Sequence, residues 1–119
     1  MADMQTYKGG CHCGAVQFEV ETDLSSVIEC NCSHCSKKGF LLSFTPASNF
    51  RLLSGQDALT EYRFNKKQIA HLFCRTCGVQ SFAAGAMPDG SEVRGVNVRC
   101  LEGVEPASLQ ITPVDGRSA

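Results

Sequence analysis

The chain has no tryptophan, two tyrosines and seven phenylalanines among 119 residues, so a core built of large aromatic side chains is excluded. A chain of this length still buries roughly two-thirds of its unfolded surface, enough for a modest aliphatic core. Net charge is also scarce, at −1 formally. That argues against the broad basic footprint needed to hold nucleic acid or an anionic membrane. No run of about 18 apolar residues occurs, so no helical membrane span is expected. The stretch from Met1 to Thr6 lacks both a basic and an apolar region, so no secretory signal is expected. The expected location is therefore the reducing cytoplasm. Linkers, low-complexity tracts and full internal repeats are missing, which predicts a single domain over residues 1–119. No segment sustains a 3.6-residue period over three turns, so long helices are not expected.

What is present is alternation. Val16, Phe18 and Val20 alternate with Gln17, Glu19 and Glu21, the pattern of a half-buried strand. Further short strands are predicted at Val27–Ile28, Phe40–Phe44, Leu59–Phe64, Ile69–Phe73, Val79–Ala84 and Val96–Val98. Tyr62 and Phe64 share one face, as do Ile69, His71 and Phe73. Turn signals separate the runs at Ser54-Gly55, Asn65-Lys66 and Pro88-Asp89-Gly90. Short helical turns fit Pro46–Asn49 and Glu105–Leu109, and the tail from Thr112 reads as irregular. The fold class is mainly β, with eight or nine short strands.

Cysteine is abundant, with eight in the chain. Seven fall in three clusters: Cys11-His12-Cys13, Cys30-Asn31-Cys32-Ser33-His34-Cys35 and Cys74-Arg75-Thr76-Cys77-Gly78. In a reducing compartment such clusters are metal ligands before they are disulfides. Two thiolates on one tetrahedral zinc lie about 3.8 Å apart, given a Zn–S bond of about 2.3 Å. Residues i and i+2 of an extended segment face the same way, about 6.5 Å apart at Cα, and side-chain tilt closes the rest. Cys-x-Cys can therefore supply two ligands. Cys74-x-x-Cys77 does the same through a tight knuckle, and Gly78 permits the positive φ that follows it.

Spacing leaves two pairings open. The Cys32–Cys35 and Cys74–Cys77 knuckles could form a zinc ribbon, though their separation is long and Cys11, Cys13 and Cys30 would be stranded. Pairing Cys11 and Cys13 with Cys74 and Cys77 uses every clustered thiol and leaves a triplet, Cys30, Cys32 and Cys35. A triplet on zinc keeps one coordination position open, as catalytic zinc sites do. The plainer alternative is that Cys100 or His34 closes it into a second structural site. His34 is expected to point outward and Cys100 to be a small buried apolar group. Lys37 and Lys38 follow the triplet, and with Arg99 they are candidate contacts for an anionic substrate. His12 is expected to face away from the metal, and His71 to be a hydrogen-bonded core residue.

The strings Gly9-Gly10-Cys11-His12-Cys13-Gly14-Ala15-Val16-Gln17-Phe18, Cys30 to Gly39 and His71-Leu72-Phe73-Cys74-Arg75-Thr76-Cys77-Gly78 resemble the glutathione-dependent formaldehyde-activating enzyme family, which includes centromere protein V. Phe50 to Gly55 and Gly95 to Leu101 are similar too. The resemblance implies a β-tent of short antiparallel sheets organised around a structural zinc held by Cys11, Cys13, Cys74 and Cys77. It implies a second, catalytic zinc on Cys30, Cys32 and Cys35, and three ligands are expected to hold it less tightly than four hold the first. The implied activity is that of a carbon–sulfur lyase, condensing glutathione with formaldehyde to S-hydroxymethylglutathione. Partners would then be a small thiol, with glutathione as co-substrate, and a small aldehyde. The alternative is a non-catalytic zinc scaffold that binds a protein partner, because a fold does not dictate its function.

Overall fold

The computed structural model of the chain describes residues 4–63 and 69–115. Ten strands appear among them: β1 (Gln5–Gly10), β2 (Gln17–Thr22), β3 (Val27–Cys30), β4 (Leu42–Pro46), β5 (Phe50–Ser54), β6 (Leu59–Tyr62), β7 (Ala70–Cys74), β8 (Gln80–Ala86), β9 (Glu92–Asn97) and β10 (Ile111–Val114). One α-helical turn, α1, covers Cys35–Lys38. Two sheets result, one ordered β1-β2-β5 and the other β10-β3-β4-β9-β8-β7-β6.

The alternating segment becomes the inner face of the smaller sheet. Val16, Phe18 and Val20 are buried, while Gln17 and Glu21 stay exposed. From the larger sheet and its connections come Val27, Leu41, Val96, Val98 and Leu101, which close on Phe18 and Val20 to form the main core. The core is mostly aliphatic, as the shortage of aromatics requires. An aromatic knot joins Phe18, Phe50 and Phe82, with Phe18 and Phe50 stacked at 5.1 Å between centroids. At one end the sheets are tied together by the bridge between Gly9 and Leu101 and by the Glu102 N–H, which donates to the Lys8 carbonyl at 2.8 Å.

Turns form where the sequence signals them. Gly55 has φ +93°, and a side chain there would meet the backbone of Ala15 and Val16. The turn at Met87–Ser91 is closed by the Met87 N–H donating to the Ser91 carbonyl. Pro46 ends β4 and leads into a 3-10 turn at Ala47–Asn49, and a second such turn covers Pro106–Ser108. The predicted positions of Phe64 and of the Asn65-Lys66 turn lie outside the described residues.

Three features differ from expectation. The strand count is ten among the described residues rather than eight or nine. The tail is not irregular from Thr112: β10 pairs with β3, and does so in parallel, in a sheet whose other pairings are antiparallel. Ile111, Thr112 and Val114 are β-branched and suit a strand. Pro113 is tolerated because β10 is an edge strand, where a missing N–H costs no ladder bond. Third, β7 and β8 slip register between Leu72 and Phe73, so the period-2 pattern through Ile69, His71 and Phe73 does not translate into uniform burial.

Candidate metal centre

The four sulfurs of Cys11, Cys13, Cys74 and Cys77 lie within 4.8 Å of one another. The first pair comes from the smaller sheet, just after β1 and just before β2. The second comes from the larger, at the end of β7 and in the knuckle beyond it. The cluster therefore sits where the two sheets meet. The knuckle is shaped by its own backbone: Gly78 has φ +79° and donates to the Cys74 carbonyl at 2.8 Å, and the Cys74 N–H donates to the Val79 carbonyl at 3.0 Å. The sulfur separations are 3.7 Å for Cys11–Cys13 and 3.6 Å for Cys13–Cys74. These match the roughly 3.8 Å edge of a tetrahedral zinc thiolate site.

Backbone N–H groups are aimed at these sulfurs, from Val16 to Cys11 at 3.3 Å and from Thr76 to Cys74 at 3.4 Å. Such donors favour the thiolate. The N–H groups of Val79 and Cys13 bring the Cys77 thiol down to about 6, and those of Cys77 and Thr76 lower Cys74. Cys13 goes the other way. The Ala15 N–H is its largest single influence and favours ionisation, but the Cys74, Cys11 and Cys77 sulfurs together with desolvation push it up to about 11. Four sulfurs this close cannot all ionise without a cation among them.

The triplet is built differently. Cys30 ends β3, Cys32 sits in the turn, and Cys35 opens α1, with all three sulfurs within 4.8 Å of one another. The turn is held by the Ser36 N–H donating to the Cys32 carbonyl and the Gly39 N–H to the Cys35 carbonyl, each at 2.9 Å. Here too N–H groups face sulfur, from Cys32 to Cys30 at 3.4 Å and from Cys35 to Cys32 at 3.3 Å. Cys35 packs against Phe40 and Leu42, with Ile28 alongside. Burial pushes the Cys35 thiol up, reinforced by Cys32. Burial also opposes ionisation of Cys32, yet the Cys35 and His34 N–H groups and the neighbouring sulfurs bring that thiol down overall.

No fourth protein ligand joins the triplet among the described residues. Cys100 does not close it. Its sulfur lies 3.8 Å from the Gln80 carbonyl, and burial raises its thiol, as does the charge of Cys11 and Cys77 nearby. His34 does not close it either, and it does not point outward as expected. Its ring lies 4.1 Å from that of His71 and 5.7 Å from that of Tyr62, with Phe40 at 5.6 Å. The aromatic rings of β6 and β7 offer this imidazole a better surface than water does. His71 is the buried, hydrogen-bonded residue expected, with Gln80 Nε2 at 3.4 Å from its Nδ1. His12 is exposed.

Cys30 and Cys35 open onto a cavity of about 390 Å³, also lined by Glu29, Asn31, Ser36, Gly39 and the segment Pro113–Asp115. Asn31 Nδ2 donates to Asp115 Oδ1 at 3.0 Å across 84 positions of sequence. No motif in the sequence points to Asn31 or Asp115; only the pairing of β10 on β3 brings them together. Lys37, Lys38 and Arg99 do not line this cavity. Lys38 Nζ instead sits 5.4 Å above the Phe73 ring. Lys37 is exposed on α1, and Arg99 is exposed on the turn after β9.

The donor sets fit zinc on their own chemistry: soft thiolates, tetrahedral spacing in the set of four, and backbone dipoles facing the sulfurs. All eight cysteines are free thiols. The fold and the clusters thus define a small mainly β protein organised around two cysteine sites fit for zinc. The family model described as glutathione-dependent formaldehyde-activating enzyme matches residues 6–113. The chain belongs to that family. A crystal structure of a Rhodobacter sphaeroides protein is similar to it at 39% sequence identity, with a TM-score of 0.79 over 89% of this chain and 97% of that one. No helix among the described residues is long and apolar enough to cross a membrane.

Proposed function

We propose that the chain is a zinc-dependent carbon–sulfur lyase, resembling S-(hydroxymethyl)glutathione synthase, that makes or cleaves the adduct of a small thiol and an aldehyde. Cys30, Cys32 and Cys35 would hold the catalytic zinc, and Cys11, Cys13, Cys74 and Cys77 the structural one. The observation that carries this reading is the difference between the two clusters. One has four sulfurs and is complete. The other has three, and two of them face a cavity large enough for a small substrate.

When bound by the triplet, zinc supplies an electrophile that favours the ionised form of a substrate thiol. In the forward direction the substrate sulfur adds to the carbonyl carbon, one C–S bond forms, and the thiol proton passes to the former carbonyl oxygen. Phe40 and Leu42 exclude water behind Cys35. Asn31, with its amide fixed on Asp115, offers polar contact at the cavity wall. Lys37, Lys38 and Arg99 stand outside the cavity and are proposed to draw in an anionic thiol such as glutathione by their charge at a distance.

The test is a thiol-plus-aldehyde panel against zinc-replete protein, read by loss of free thiol, with glutathione and formaldehyde included. Cys32→Ser should abolish turnover while leaving the fold intact. Turnover that persists in that variant would take the catalytic role away from the triplet, and a panel in which no pair reacts would favour the scaffold reading.

A further inference from the structure

The mouth between the two sheets holds a second cavity, sharing no lining residue with the one at the triplet, of about 490 Å³. Its walls include Phe50 and Leu52 of the smaller sheet and Leu72, Phe82 and Ala84 of the larger. Phe50 and Phe82 form one face, with ring centroids 4.6 Å apart and tilted by 43°. At one end is Arg94, which is half-buried. Among the described residues its guanidinium makes one hydrogen bond, from Nη1 to the Val93 carbonyl at 3.0 Å, and no ion pair. A guanidinium offers five donors in a planar fork, so most of this fork is open to a ligand. At the other end is Glu61, whose carboxylate is already held by Arg63 at 2.8 Å.

The register fixes the separation of these ends. Arg94 is opposite Ala84, Phe82 is opposite Leu72, and Leu72 is opposite Glu61. Arg94 and Glu61 are thus on strands three sheet spacings apart, about 14 Å, and are offset by a further two residues along the strands, from Ala84 to Phe82. We propose that this cavity binds a small monocarboxylate with a flat apolar body. Its carboxylate pairs with the Arg94 fork, and its body lies on Phe82, Ala84 and Leu72 beside Phe50. Glu61 at the far end, already paired with Arg63, is an acceptor only and offers no donor to a second carboxylate. The site does not depend on the chemistry proposed for the triplet.

The test is titration of the zinc-loaded chain with 2-naphthoate, followed by backbone amide NMR. Saturable shifts are expected at Phe82, Ala84 and Arg94, with sub-millimolar affinity. Binding should weaken at least tenfold for the neutral 2-naphthylmethanol and for 2,6-naphthalenedicarboxylate, both read on the unaltered protein. Arg94→Gln should weaken 2-naphthoate by a similar factor, while Arg94→Lys, which keeps the charge and loses the fork, should fall between Arg94→Gln and the unaltered protein. Cys32→Ser should bind 2-naphthoate as the unaltered protein does. The proposal is overturned if no saturable binding occurs, if the alcohol binds as well as the acid, or if the shifts fall on residues 30–39.

Discussion

Cys13 and Cys74 are 61 positions apart in sequence, yet their sulfurs lie 3.6 Å from each other. One precedes β2 of the smaller sheet and the other ends β7 of the larger. A metal held between them joins the sheets directly. Structural zinc contributes roughly 10–16 kcal/mol in small domains, comparable to or greater than the usual net stability of about 5–15 kcal/mol. Cys74→Ser should therefore leave the chain largely unfolded, while Cys32→Ser retains a cooperative transition. Circular dichroism with thermal melting distinguishes them.

Metal removal should proceed in two phases. Three sulfurs, two of them facing a cavity, release a cation more readily than four sulfurs clamped between sheets. Reduced, zinc-replete protein is expected to carry two zinc per chain by elemental analysis. Under a colorimetric chelator it should yield one quickly with the fold retained, and the second slowly, together with unfolding. Cys32→Ser should lack the fast phase.

Two glycines in the left-handed region make a graded comparison. Gly78 at φ +79° has nothing within 4 Å of a built Cβ, so Gly78→Ala should cost only the backbone penalty of about 1–2 kcal/mol. Gly55 at φ +93° adds a collision with the backbone of Ala15 and Val16, which cannot move aside as a flexible side chain would. Gly55→Ala should cost at least about 3 kcal/mol, since steric strain adds to that penalty. Urea denaturation of both variants checks the order.

Much of the architecture could be read from residue order. The alternation at Val16, Phe18 and Val20 and the knuckle at Cys74–Gly78 each have a local cause, so each was visible. Sulfur grouping was legible for a similar reason, because the economy of filled ligand sets favoured the pairing now seen. The features that escaped depend on distant partners. α1 is a single turn, too short for any helical period to register. β10 is a strand because β3 offers it an edge, and Pro113 in isolation argues against one. His34 turns inward because His71, Phe40 and Tyr62 surround it, and Tyr62 and His71 are themselves cross-strand neighbours.

His71 gives a pH prediction. Burial pushes its imidazole down to about 4, with the neighbouring His34 and Lys38 acting in the same direction. In the unfolded chain a histidine titrates near 6.5. The folded state therefore binds fewer protons between these values, and stability rises with pH across the window. The contribution is present above about pH 6.5 and is lost as pH falls toward about 4, to a total of roughly 3 kcal/mol. Acid also competes for the thiolates, so the measurement is a comparison: urea midpoints of His71→Gln should fall less steeply over that window than those of the unaltered protein. Equal slopes would assign the acid response to other groups, the cysteines and the half-buried His34 among them.

The central claim is that the triplet accepts a ligand from outside the protein. Cobalt substituted for zinc in fully reduced protein reports this through its visible absorption, with Cys32→Ser giving the signal of the four-sulfur cluster alone. The expected result is a saturable change in the triplet's share of the spectrum on adding a substrate thiol, with no change in the Cys32→Ser spectrum. A triplet spectrum indifferent to every thiol, with a fourth ligand donated by the chain itself, would contradict the account.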